Sequence, residues 1–190
     1  MRAANPPRGF TLIELMVVLA ILLVLALIAM PSFSDFFERN RVRGAATEVI
    51  AVIDNARAEA VKNDLDVNIA MTGSGTAWCV GANAATIPTP GNPPDVAAAC
   101  DCTDTAQCQV SGMRLAMDVG AFPDVAVGDV PDPLVFDSTL GAIVPLGGRV
   151  VTLTSPKGKY DVTIEVNGLG QARMCTPTGK PEMSGIKPCA

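Results

Sequence analysis

The chain has 190 residues, 49% of them hydrophobic, with 14 basic and 19 acidic residues, no histidine and a formal charge of −5. Mean hydropathy is positive at +0.35, and much of the apolar weight lies ahead of Pro31. Six cysteines, an even number, stand without a histidine or a CxxC pair, which excludes the usual mixed zinc sites and points to disulfides in an oxidising compartment.

From Phe10 to Met30 the sequence FTLIELMVVLAILLVLALIAM is apolar but for Thr11 and one charge, Glu14. As a helix this run is about 31 Å long, the thickness of a bilayer core. A secretory signal would have a shorter apolar region and then a small-x-small cleavage site; here the run continues past Ala26 and Ala29. Arg2 and Arg8 precede it and place the N-terminus on the cytoplasmic side. A plain single-pass anchor leaves Glu14 unexplained, because a carboxylate in hydrocarbon costs at least about 2.5–3.5 kcal/mol. Cleavage after Gly9 would free an ammonium on Phe10, one helical turn from Glu14. Two such charges about 4 Å apart attract by roughly 4 kcal/mol at an effective dielectric of about 20, enough to offset the burial.

The stretch RGFTLIELMVVLAIL (residues 8–22) resembles the processing and assembly signal of type IV pilins and type II secretion pseudopilins. That signal is a basic leader ending in glycine, then phenylalanine, then an apolar helix with glutamate as its fifth residue, here Arg8-Gly9, Phe10 and Glu14. The resemblance implies a leader at residues 1–9, removed by a prepilin peptidase between Gly9 and Phe10, and N-methylation of Phe10. It implies a helix over 10–30 that anchors the precursor in the bacterial inner membrane and later packs in a hetero-oligomeric filament. Glu14 then meets the N-terminal amine of a neighbouring subunit.

Pro31 predicts a kink, or the first position of a new helix, because it has no N–H and its ring meets the carbonyl of Leu27. Over 31–63 the pattern is amphipathic: Val42, Ala46, Val49, Ile53, Ala56 and Ala60 form one stripe. Arg39, Arg41, Arg43, Glu48, Asp54 and Lys62 fall on other faces. NARAEAVKND (55–64), with Arg57 and Glu59, is similar to a stretch of GspH/FimT-like minor pilins; taken singly, these two side chains are expected to be a solvated charge pair.

After Asp64 the period changes to two, and the remainder, 64–190, is expected to be a β-rich periplasmic domain. DVNIAM (66–71), the turn TGSGT and AWCVG (77–81) predict a hairpin. Residues 82–109 hold three of the six cysteines among Ala, Pro, Asn, Thr and Asp and predict a long stapled loop. Residues 110–117 suggest a strand, 118–133 a loop, and strands are expected at 134–137, 149–154, 159–166 and 171–175. These last strands and their glycine turns are similar to the C-terminal half of the GspH/FimT domain. The fold class is therefore α+β and pilin-like: a long N-terminal helix on a small antiparallel sheet domain. Cys79, Cys100, Cys102, Cys108, Cys175 and Cys189 are all disulfide candidates, with 15 connectivities open. Cys100 and Cys102 are too close in sequence to favour one another.

Removing Arg2 and Arg8 leaves 12 basic and 19 acidic residues, a charge of −7. Residues 64–138 carry ten acidic residues against Arg114, whereas 149–190 carry six basic residues against three acidic. Some FimT-like pilins bind DNA through a GRxR motif; this chain has Gly170-Gln171-Ala172-Arg173 there, without the first arginine. Arg149, Lys157, Lys159 and Arg173 are the candidate DNA contacts. No catalytic residue, cofactor or metal site is indicated: there is no phosphate loop or GxSxG elbow, and Asp129 and Asp132 lie in a Pro-broken loop. Trp78 is expected in the core. The expected function is structural, a minor pilin that initiates a type IV pilus. The alternatives are a type II secretion pseudopilin and a DNA-binding pilin acting in uptake.

Overall fold

The computed structural model describes residues 10–84, 100–102, 104, 106–130 and 133–189, leaving aside the side chains of 29–32. The leader with Gly9, most of the first half of the stapled loop, and Asp132 lie outside the described residues. Two compact units are present, one ending at Phe37 and one running from Glu38. Helix α1, Leu12–Asn63, is assigned as 52 residues and contributes to both.

In the first unit α1 stands with its apolar side chains exposed, Leu12 at 77% and Leu23 at 66%. In the second, the stripe Val42, Ala46, Val49, Ile53, Ala56 and Ala60 is buried and joined by Ala45 and Val52. Burying a valine or isoleucine stabilises by about 1.5–3 kcal/mol, so this stripe outweighs the modest helix propensity of its β-branched members. Gly44 stands within the helix because a Cβ there would lie 2.6 Å from the Phe122 ring.

The strands are β1 Val67–Ser74, β2 Ala77–Ala84, β3 Gln109–Val110, β4 Met113–Arg114, β5 Ala116–Asp118, β6 Ala126–Val127, β7 Leu134–Phe136, β8 Ile143–Val144, β9 Arg149–Thr154, β10 Asp161–Val166 and β11 Ala172–Cys175. One sheet has the order β5-β2-β1-β7-β8, a second β11-β10-β9-β6, and β3-β4 is a small hairpin. Neighbouring strands in these sheets pair antiparallel. Val67 and Ile69 of β1, Val80 of β2, Phe136 of β7 and Val162, Ile164 and Val166 of β10 share one core with the helix stripe. Trp78 is buried there and donates its Nε1–H to the Val125 carbonyl at 2.9 Å. The α+β, pilin-like fold is as the sequence implies.

Several local expectations are corrected. The β1–β2 turn is tighter than TGSGT, since Ser74 pairs with Ala77 and only Gly75 and Thr76 turn the chain. The stretch 118–133, expected to be loop, contains a short 3-10 turn at Val119–Ala121 and β6, which pairs with the edge of β9. VSGMRLAM is not one strand: it divides among β3, β4 and β5, with Ser111 and Gly112 at positive φ between the first two. Strand β8 had no sequence counterpart.

The six cysteines form Cys79–Cys102, Cys100–Cys108 and Cys175–Cys189. Cys100 and Cys102 thus turn to different partners: the first bridge fastens the loop to β2, and the second closes the loop on itself. Gly81 on β2 is small for this reason: a Cβ there would stand 2.5 Å from Cys100 Sγ.

Candidate assembly site

The feature that demands a partner is the segment from Phe10 through Ile28. Phe10 is 87% exposed, and the large apolar side chains that follow it are exposed to roughly half or more of their area. A contiguous apolar surface of this kind marks a membrane or protein interaction site. By length and composition no single described helix qualifies as a membrane span, whereas Leu12–Ile28 and Phe33–Asn63 taken together do.

Thr11 precedes the first helical residue and accepts the Glu14 N–H on its Oγ1 at 3.3 Å. Thr11 and Glu14 therefore have the Thr-x-x-Glu spacing of a capping box, a signal present in TLIE but overlooked in favour of the charge itself. Glu14 also lies in the first turn of α1, where the helix dipole favours a carboxylate by about 0.3–1 kcal/mol at an exposed site. This local contribution is smaller than the cost of carrying the anion into hydrocarbon, at least about 2.5–3.5 kcal/mol. Capping alone does not account for Glu14 in such a run.

Arg57 and Glu59 are not a solvated pair. Arg57 is half-buried and donates its Nε–H to the Gly141 carbonyl at 2.9 Å. Glu59 is buried, ion-paired with Lys62 at 3.0 Å and hydrogen-bonded by Asn63 Nδ2 at 2.5 Å. The Lys62 hydrogen bond holds the Glu59 carboxyl below its ordinary value of 4.5, against the opposing effect of burial and with further help from Asn63. Arg57 fastens the end of α1 to the sheet domain, whereas the partners of Glu59 lie on the last turn of α1 itself. Their four-residue local pattern signals a helix, but not the carbonyl of Gly141, which comes from a distant loop.

The candidate DNA contacts divide into two places. Arg149 and Arg173 line an open groove with Gln171 and Asn167, but Arg173 is bound to Glu165 through Nη2 at 2.7 Å and Nε at 2.8 Å. Lys157 and Lys159 sit at the other end of the β9–β10 ladder, beyond Thr154 and Asp161, and Lys157 meets Glu38 at 3.3 Å. The four cations do not form one continuous track for a phosphate backbone.

Comparison with known proteins covers both units. Residues 5–30 match the prokaryotic N-terminal methylation motif, and residues 45–170 match the type II transport protein GspH family. A fimbrial protein of Pseudomonas aeruginosa is 36% identical over 80 residues, 42% of this chain and 51% of that protein. A fimbrial protein of Moraxella nonliquefaciens is 51% identical over 43 residues, 23% of this chain and 28% of its own. The chain thus spans about half the length, or less, of these curated relatives. The crystal structure of the type IV minor pilin FimU from Pseudomonas aeruginosa is similar over 73% of this chain and 91% of that one, with a TM-score of 0.48 and 17% identity. With a methylation motif at its start and a GspH match over 45–170, the chain belongs to the GspH family of pilin-like proteins.

Proposed function

We propose that the protein is a structural subunit, a minor pilin of a type IV pilus, made as a precursor held in the bacterial inner membrane with its 64–190 domain in the periplasm. The observation that carries this reading is the exposed apolar segment Phe10–Ile28, with Glu14 as its single charge, joined to a disulfide-bonded GspH domain. Prepilin peptidase cuts after Gly9 and Phe10 is N-methylated, a reading supported by the methylation-motif match. The helix leaves the bilayer by packing against the helices of other pilins, and Glu14 neutralises the Phe10 ammonium of a neighbour as it does so. Its role is to initiate assembly.

No observation favours DNA uptake as the main role, since Arg173 is engaged by Glu165 and the other candidate cations are dispersed. The test is to delete the gene and to quantify the chain in sheared filaments. Loss of surface pili, with the protein present as a small fraction of the filament mass, is the expected result. A chain that dominates the filament contradicts the minor role, and intact pili with failed protein secretion would assign it to a secretion pseudopilus.

A further inference from the structure

Three turns of the second unit each present a leucine followed by a glycine: Leu140-Gly141 between β7 and β8, Leu146-Gly147 between β8 and β9, and Leu169-Gly170 between β10 and β11. Turns usually carry polar residues at such positions, yet these leucines are between 63% and 79% exposed. The turns meet one another. Ile143 donates its N–H to the Gly168 carbonyl at 3.1 Å, and a Cβ on Gly168 would lie 3.8 Å from Leu146 Cδ2. A Cβ on Gly170 would stand 2.6 Å from the Gly141 carbonyl, and one on Gly141 would stand 3.1 Å from Val61 Cγ2 on the last turn of α1. Val61 is itself exposed. Two of the turns are also held by side chains. Asp137 accepts the N–H of Leu140 at 3.1 Å and of Ala142 at 2.7 Å. Asn167 accepts the N–H of Leu169 at 3.1 Å and of Gln171 at 3.0 Å. The leucines therefore stand on a backbone that is already fixed, and covering them costs little further ordering.

We infer that this leucine patch is the surface on which a neighbouring pilin of different sequence seats its globular domain in the filament. The inference deepens the minor-pilin reading and rests on it. A cluster of exposed apolar side chains marks an interaction site, and its size decides the kind of partner. At about 100 Å² for each side chain, Leu140, Leu146, Leu169 and Val61 offer about 400 Å². That is half of the roughly 800 Å² each partner buries in a stable free complex. The patch is too small to hold a soluble partner, or a second free copy, by itself. It suffices for a neighbour already kept close by packing of the apolar helices, because a tethered contact needs far less area. Position argues against lipid. At about 1.5 Å per residue, Val61 stands roughly 35 Å along α1 from Glu38, where the segment bearing the apolar run enters this unit. A subunit that starts the filament without forming its bulk passes this contact to a chain of another sequence. The patch then selects which pilin comes next, while the helices supply most of the affinity.

The full chain, expressed in its own bacterium, tests this in two forms: Leu146→Asp with Leu169→Asp, and a photoreactive benzoylphenylalanine in place of Leu146. Both positions are exposed, so the double variant should keep the wild-type Tm, cleavage and membrane level. Its amount in sheared filaments should fall by about tenfold or more. Met113→Asp, which alters an exposed apolar residue of the β3–β4 hairpin away from the three turns, should incorporate as the wild type does. Irradiated filaments should yield an adduct with a pilin of another sequence, identified by peptide mass, and the detergent-solubilised chain should yield none. Unchanged incorporation of the double variant overturns the proposal, as does an equal loss in Met113→Asp, which would mean that any added surface charge excludes the chain. An adduct with a second copy or with lipid also overturns it, and the adduct is read whether or not the double variant folds. Wild-type chain absent from filaments altogether refutes the minor-pilin reading, and the inference with it.

Discussion

Replacing Glu14 by alanine should give a chain that is cut and membrane-held as before but is at least tenfold scarcer in filaments. The side chain has two separable contributions. As a carboxylate in the first turn of α1 it favours the helix start by about 0.3–1 kcal/mol, and that is lost in any neutral variant. As partner of a neighbour's Phe10 ammonium it would contribute roughly 4 kcal/mol at an effective dielectric of about 20. Alanine leaves that ammonium unpaired among apolar helices, where an isolated charge is costly. Fraying of one turn is too small an effect to exclude a subunit from a filament; an unpaired cation at every contact is large enough. Glu14→Gln keeps the size and loses the charge, so it should fail like alanine, while Glu14→Asp should retain part of the function. Quantifying the chain in sheared filaments against the membrane fraction reads the effect. Unchanged incorporation of Glu14→Ala would remove the pairing from the account.

The second large effect is expected from the bridge between Cys79 and Cys102. It closes a loop with a sequence separation of 23 residues, for which the chain-entropy estimate is about 3 kcal/mol. Both cysteines are buried, and with Cys100 and Cys108 they form a small core of their own apart from the main one. A Cys79→Ala/Cys102→Ala double variant should therefore be destabilised by about 2–4 kcal/mol, visible as a fall in Tm of several degrees for a domain of this size. The Cys100–Cys108 link, with a separation of 8, would then no longer be tied to β2. Thermal unfolding followed by circular dichroism checks this. A shift under about one degree would mean that the loop contributes little to domain stability.

The elements that were legible in the sequence are those whose signal is local. The stripe from Val42 to Ala60 is read by its three- and four-residue steps, and all six positions are buried. Strands β9, β10 and β11 alternate cleanly between glycine turns, and they were placed to within about two residues. Strands β6 and β8 have two residues each and no periodicity to read; β6 exists because Val127 pairs with Leu153 and is bridged to Gly75 from the β1–β2 turn. The disulfide pattern was closed to sequence reasoning because it depends on which loop crosses Gly81. Charges misled more than apolar residues did. Glu38 and Glu59 look like solvent-facing helix residues, yet each is buried beside a lysine, and the partner Lys157 lies more than a hundred positions from Glu38.

At the assembly site the relation is reversed. Phe10 and Glu14 were conspicuous in the sequence, as an apolar run with one carboxylate, while the structure of a single chain shows only that this run is uncovered. In the proposed reading the partner that explains it is another molecule. The terminus is therefore the place where the account is most exposed to measurement.

The most direct measurement is the intact mass and N-terminal residue of the chain recovered from its native membrane or filament. A mature protein beginning at a methylated Phe10, with Gly9→Ala accumulating as the uncut precursor, is the predicted result. A native chain that still begins at Met1, or a Gly9→Ala variant processed as readily as the wild type, would contradict the proposal that cleavage supplies the cation Glu14 requires.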